Sequence, residues 1–293
     1  MTDRIERRRV MDPADADKLV KTLVPPDVAA DLIHNATVIV DPDLGEPVLG
    51  YLPLTPADTD ALTAAVLSLD DRLWSSQARS GLMRNRAVTF GMVPRRPTHQ
   101  RDSCRISRMA RDAPDAHAVI AGLSVTLGTM VEEQISPDIA ARDRMTIAEI
   151  EADWRMAPDA AWTSGVINRT SQLPYHRDSM NFDAWVAMPV VRSGVSGGYL
   201  HLPEYGVALS CRNGYVVIFN GFRLVHGVTA ITAVRPARNG QPGGYRYSIV
   251  YYALRGMKNC AEFAAELAGG QARRTEREVH QHAFLTGQIP DWR

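Results

Sequence analysis

The sequence predicts an α+β fold in which a helix-bearing N-terminal half packs on a core of short strands. In residues 1–153 apolar side chains recur at helical spacing, first Leu62, Val66, Leu69 and Leu73, then Ile120, Leu123, Leu127 and Met130. Beyond that region the texture changes to short β-type runs separated by Gly, Asn and Pro. Such strands indicate a sandwich or barrel, of which a jelly-roll, cupin-like core is one solution. Finally, His176 and Asp178 stand two positions apart and His226 lies far downstream. A core that makes distant strands neighbours would bring the three together.

Asp12 is placed to cap a helix running to Leu23, with Pro13 behind it and Pro25-Pro26 as its stop. Ala36–Val40 reads as a strand before a Pro- and Gly-containing turn. Thr55 and Pro56 mark the next helix start, and Asp115–Glu133 and Ile147–Trp154 are further helices. Between them runs a polar, Arg-dense segment, 79–111. The expected strands of the second half are Ala184–Val191, Gly198–Leu202, Val207–Leu209, Tyr215–Phe219, Val225–Ile231 and Tyr245–Leu254. From Cys260 the chain returns to helix. We read 1–153 as a mostly helical region packed on a 154–258 catalytic core, with 259–293 a helical tail, all in one integrated domain.

With 293 residues, 45% of them hydrophobic, the chain can bury one sizeable core. Its 33 basic and 33 acidic residues balance, so an electrostatic case for nucleic acid must rest on a local patch. Lysine occurs only at Lys18, Lys21 and Lys258, leaving arginine as the main cation. Cys104, Cys211 and Cys260 are scattered and odd in number, which speaks against a disulfide framework or a multi-cysteine zinc module. A reducing compartment fits, and with neither a readable signal peptide nor an apolar run of spanning length, a soluble cytoplasmic protein is expected.

Residues i and i+2 of a strand share a face, so His176 and Asp178 can aim at one metal while Arg177 points away. Two imidazoles and one carboxylate form the facial ligand set of non-haem Fe(II), which leaves positions open for co-substrate and oxygen. Arg246 and Ser248 share a face of a later strand, and an inward-pointing arginine requires an anionic partner. A dicarboxylate would meet it through a bidentate pair, with the Ser248 hydroxyl assisting. The tyrosines Tyr199, Tyr245 and Tyr247 are placed to wall such a site. Arg84, Arg86, Arg95 and Arg96 open the Arg-dense segment that continues through His99, Arg101, Arg105, Arg108 and Arg111, and are candidate phosphate contacts.

The ordered set His176-x-Asp178, Gly198, Pro203-Glu204-Tyr205-Gly206, His226-Gly227-Val228-Thr229 and Arg246-x-Ser248 resembles the Fe(II)/2-oxoglutarate dioxygenase superfamily. With Asn181 added, it is similar to the TET/JBP branch, which oxidises the 5-methyl group of pyrimidines in nucleic acid. The resemblance covers residues 154–255. It implies a double-stranded β-helix core, Fe(II) on His176, Asp178 and His226, and 2-oxoglutarate with its distal carboxylate on Arg246 and Ser248. It also implies consumption of O2. Asn181 would hold a methylated cytosine flipped out of DNA, giving 5-hydroxymethylcytosine. No membrane and no obligate protein partner are implied. The chain lacks the Cys-rich zinc-binding segment of the animal enzymes and carries Met180 where they commonly carry His, as a compact phage- or bacterial-type member would. The competing readings are an oxygenase acting on thymine in DNA, or on a small molecule or peptide, and a non-catalytic DNA-binding module.

Overall fold

Helices begin where side chains offer caps. The Thr55 hydroxyl accepts the Asp58 N–H at 3.1 Å with Pro56 at the first helical position, and Asp12 accepts the Ala14 N–H at 2.8 Å. The computed structural model describes residues 2–28, 30–77, 85–95, 103–169, 172–236 and 243–285. In chain order these form β1 (Asp3–Glu6), α1 (Pro13–Asp17), β2 (Asp31–Ile33), β3 (Thr37–Asp41), β4 (Glu46–Pro53), α2 (Pro56–Leu67), β5 (Ser75–Gln77) and β6 (Asn85–Val93). Next come β7 (Arg105–Ile106), α3 (Arg108–Asp112), α4 (Pro114–Met130), α5 (Pro137–Thr146), β8 (Ser164–Arg169) and β9 (Leu173–His176). The remainder is β10 (Val186–Ser193), β11 (Val195–Gly197), β12 (Leu200–Leu202), β13 (Val207–Leu209), β14 (Tyr215–Phe219), β15 (His226–Val228), β16 (Ile231–Ala233), β17 (Tyr245–Tyr252) and α6 (Phe263–Leu285).

The strands make a ten-stranded sheet, ordered β1-β3-β4-β14-β10-β17-β8-β6-β5 with β7 on β6, and a five-stranded sheet, β2-β13-β12-β15-β9. A short β11-β16 ribbon completes the set. Apart from the parallel pairs β1–β3 and β2–β13, neighbours run antiparallel. This is the expected α+β plan with a jelly-roll core.

Alternation on the central strand β17 shows how the layers are filled. Tyr247, Ile249 and Tyr251 enter an apolar cluster with Leu62, Ile120 and Leu127 from α2 and α4. On the other side lie Arg246, Ser248 and Val250, facing the second sheet. Between the sheets Ile39, Leu49, Val190, Leu202, Leu209 and Phe219 form a second cluster. The helices therefore cover one face of the large sheet, and the site occupies the space between the two sheets.

Several expectations are corrected. The first helix stops at Asp17 rather than Leu23, because Lys21 adopts φ 73° and gives its N–H to the Tyr175 carbonyl at 2.8 Å. The helix expected at Ile147–Trp154 is a turn with one short 3-10 segment; Ile147, Ile150 and Trp154 are buried there on isolated turn hydrogen bonds, such as Ile150 N–H to the Ile147 carbonyl at 2.9 Å, with no continuous α-helical ladder. The helix lies earlier, at α5, where Ser136 caps and Pro137 leads. Val225–Ile231 is broken after Val228. The Arg-dense segment contains β6, an interior strand of the large sheet whose Ala87-Val88-Thr89-Phe90 run is flanked by arginines. The helix-bearing half thus supplies β1 and β3–β7 to the large sheet.

The cysteine reading also fails. Cys104 and Cys260 form a disulfide across a sequence separation of 156, tying the strand pair β6–β7 to the start of α6. The Glu266 carboxylate reinforces this junction by pairing with Arg95 and accepting the Cys104 N–H at 3.1 Å. Cysteine count and spacing carry no information on such a tertiary encounter, and the inference to a reducing compartment falls with it. Cys211 is free and buried. No helix among the described residues is long and apolar enough to cross a membrane.

Candidate metal centre and its cavity

His176 ends β9, His226 opens β15, and the two are register partners in adjacent strands. Asp178 lies just past the end of β9, where its N–H donates to the Gly221 carbonyl at 2.9 Å. A Cβ on Gly221 would stand 2.5 Å from Asp178 Oδ2, so only glycine lets the 220–224 loop come this close behind the carboxylate. One ligand atom from each of His176, Asp178 and His226 lies within 4.8 Å of the others.

The imidazoles are oriented for ligation. His176 Nδ1 donates to the Pro174 carbonyl at 2.8 Å and His226 Nδ1 to the Leu224 carbonyl at 3.0 Å, leaving both Nε2 lone pairs bare. Those nitrogens stand 3.8 and 3.9 Å from the Asp178 oxygens, too long for hydrogen bonds and suited to a shared ion. Burial, followed by the neighbouring His176, pushes the His226 pKa down to about 4, so the ring is neutral near pH 7. Two imidazoles and a carboxylate with an open face fit Fe(II).

Behind the centre, Arg177 points away as alternation requires, donating to Asp17 at 2.6 Å and to Glu204 at 2.9 Å. Glu204 is fully buried and also accepts the Val225 N–H at 3.2 Å. One carboxylate therefore braces the residue between His176 and Asp178 and the residue before His226.

The centre opens into a cavity of about 620 Å³ walled by Leu173, Val186, Met188, Leu200, Phe219 and Val228. Asn181 and Ser248 also line it. Asn181 is 5% exposed; its N–H closes a turn onto the Asp178 carbonyl at 2.9 Å, and its carboxamide makes no hydrogen bond to a described residue. Arg246 is 1% exposed on the same strand face as Ser248. Gly198, at φ 70°, lies over its stem, where a Cβ would meet Arg246 Cδ at 2.8 Å. Arg246 is the register partner of Arg192, whose pKa is lowered by burial and then by the Arg246 charge. Arg192 donates to the Ser210 and Val195 carbonyls, both at 3.0 Å, so two cations stand side by side at the inner end. That arrangement favours an anion there.

The structure brings His176, Asp178, His226, Asn181 and Ser248 to one cavity, with Arg246 behind Ser248. It does not bring Arg86 or Arg95 there. Arg86 pairs with Asp71 at 3.6 Å, and its register partner is Arg169, on the helix-covered side of the sheet. Arg95 is engaged by Glu266. Arg84 and Arg96 lie outside the described residues, as do His99 and Arg101. Of the expected wall tyrosines, Tyr245 and Tyr247 face the helices and Tyr199 is not among the lining residues, whereas Tyr252 is. Gly221, Arg192 and Lys21 had no sequence signal, since each acquires its role only through residues far away in the chain.

Fold and site together give a double-stranded β-helix carrying a two-histidine, one-carboxylate cluster, an arrangement similar to that of the Fe(II)/2-oxoglutarate oxygenases. Among solved structures the chain is similar to NgTET1 in complex with 5mC DNA, at 15% identity and TM-score 0.55, covering 78% of this chain and 84% of that one. Looser overlaps, from which nothing is argued, include OsALKBH1 at 13% identity and TM-score 0.40, covering 70% of this chain and 97% of that one. Another is a 2OG-Fe(II) oxygenase family oxidoreductase from Burkholderia pseudomallei, at 14% identity and TM-score 0.40, covering 86% and 94%. No family model and no curated protein sequence matches the chain.

Proposed function

We propose that the protein is an Fe(II)- and 2-oxoglutarate-dependent dioxygenase that oxidises the 5-methyl group of 5-methylcytosine in DNA to 5-hydroxymethylcytosine. The observation that carries this reading is the position of Asn181, an unengaged carboxamide in the same cavity as the His176, Asp178 and His226 cluster. The fold shared with NgTET1, solved with 5mC DNA, supports it.

Fe(II) held by His176, Asp178 and His226, with 2-oxoglutarate and O2, would supply the oxidising chemistry that places an oxygen atom on a methyl carbon. The chain's own residues prepare that event. The Pro174 and Leu224 carbonyls hold the imidazole tautomers, and Gly221 admits the Asp178 carboxylate. Arg246, with Arg192 beside it and Ser248 in front, supplies the charge that receives the distal carboxylate of the co-substrate. Apolar walls exclude water from the reacting carbon. Asn181, presenting both a donor and an acceptor, hydrogen-bonds the polar edge of an extruded base.

The direct test is product analysis. Purified protein incubated with Fe(II), 2-oxoglutarate, ascorbate and methylated DNA is expected to yield, after digestion, a methylcytidine nucleoside heavier by one oxygen. Active 2-oxoglutarate turnover with no such product, or with oxidised thymidine instead, would remove 5-methylcytosine as the substrate. Asn181→Ala is expected to raise KM for methylated DNA about tenfold, the scale of one lost hydrogen bond, with Fe(II) and 2-oxoglutarate affinities intact. Loss of metal binding in that variant would assign Asn181 to the metal centre instead.

A further inference from the structure

We propose that Lys21, Met180 and Arg255 form a rim at the cavity mouth that engages a DNA duplex. The two cations take backbone phosphates on either side of the extruded nucleotide, and Met180 enters the gap left in the base stack. The proposal rests on the reading above that a base of DNA is the substrate, and it identifies the residues that hold that DNA.

Lys21 lines the cavity in a left-handed conformation, φ 73°, which is strained for a residue bearing a Cβ. The strain is held by its hydrogen bond to the Tyr175 carbonyl at 2.8 Å and by the return bond from the Tyr175 N–H to the Thr22 carbonyl at 2.9 Å. The loop is thus stitched to β9 one residue before His176. No carboxylate of a described residue pairs with the Lys21 ammonium, in contrast with Lys18, which is bonded to Asp15 at 2.6 Å.

Arg255 is anchored beside the same mouth. Its guanidinium donates to the Ser179 carbonyl and lies over the Phe222 ring at 5.5 Å, and its N–H donates to the Met180 carbonyl at 3.1 Å. These partners fix its position and leave its charge unneutralised. Met180 lines the cavity and is 66% exposed, while the next residue, Asn181, is buried in the wall.

The charge balance selects the partner. Asp178 is the only carboxylate among the described residues lining the cavity, and a bound metal would consume its charge. The mouth is therefore cationic in a chain whose 33 basic and 33 acidic residues cancel. Of the arginines first suspected, four described ones are paired with carboxylates: Arg86 with Asp71, Arg95 with Glu266, and Arg108 and Arg111 with Asp112. An exposed unbranched apolar side chain flanked by unneutralised cations suits a stack of bases between two phosphodiester strands, because apolar wedges offset the cost of unstacking a step.

The test is the salt dependence of duplex binding, read by fluorescence anisotropy with methylated and unmethylated duplexes of the same sequence. Lys21→Ala and Arg255→Ala are each expected to flatten the slope of log K against log salt by about one, as expected for one phosphate contact, on both duplexes. Met180→Ala is expected to keep the slope and to lower the fluorescence of a 2-aminopurine placed beside the methylcytosine. Fe(II) and 2-oxoglutarate affinities, measured on each variant, report whether the core is intact. Unchanged slopes in the Lys21→Ala/Arg255→Ala double variant would overturn the rim. So would tighter binding of RNA of the same sequence with the same slope changes, since the partner would then not be DNA. Altered slopes without any oxidised methylcytosine would leave the rim standing and remove the functional reading. Oxidation of methylcytosine with unaltered slopes would do the reverse.

Discussion

Asp178→Ala is expected to abolish turnover and to weaken Fe(II) binding by more than about a hundredfold, since changes to groups behind metal ligands alone cost about ten- to a hundredfold. As metal ligands His176 and His226 would bring no charge, since Nδ1–H goes to a backbone carbonyl in each and the ion would take the Nε2 lone pair. Asp178 supplies the one negative charge of the cavity lining, 3.8 and 3.9 Å from those nitrogens. Removing it leaves two neutral ligands for a hard, doubly charged ion. Anaerobic Fe(II) titration and 2-oxoglutarate consumption measure the two effects separately. Asp178→Asn, which keeps the shape beside Gly221, should behave like the alanine variant and so assign the loss to charge rather than to collapse of the loop. Full activity in either variant would refute the site.

Arg246→Leu should lower 2-oxoglutarate affinity by about a hundredfold while leaving Fe(II) affinity nearly unchanged. Hydrogen bonds to charged groups are worth about 1.5–3 kcal/mol, and about 1.4 kcal/mol is a factor of ten. Leucine fills much of the space that the Arg246 stem occupies beneath Gly198, so the fold should tolerate it. Arg192 remains and preserves part of the positive field. Arg246→Lys, which retains the charge and loses the planar fork, should fall between the two. Equilibrium binding of 2-oxoglutarate to the Fe(II)-loaded protein distinguishes these cases. An unaltered affinity in the leucine variant would place the co-substrate elsewhere.

Local chemistry explains which elements could be read in advance. Thr55-Pro56 starts a helix because a hydroxyl cap and a fixed φ act within one turn, and Val207–Leu209 and Tyr215–Phe219 match the expected strands residue for residue. Glu46–Pro53 and Asn85–Val93 were hidden because prolines punctuate the first and arginines flank the second; pairing with β14 and β8 made them strands. The Ile147–Trp154 segment shows the converse error. Its apolar spacing reports burial of Ile147, Ile150 and Trp154 in a turn, and burial alone does not imply helical hydrogen bonds.

The donor set was legible for a similar reason. His-x-Asp is a local pattern, and an arginine and serine two apart on a strand must share a face wherever the strand goes. By itself, then, the sequence determined which three side chains are the candidate metal donors, the outward turn of Arg177 and the shared face of Arg246 and Ser248. The tertiary structure alone decided what stands around them. It set Gly221 behind Asp178, Glu204 between the two ligand strands, Arg192 beside Arg246, and the Cys104–Cys260 bridge. The physical reason is range. Strand alternation and capping act over a few residues of chain, whereas the pairing of a charge depends on which groups are neighbours in space.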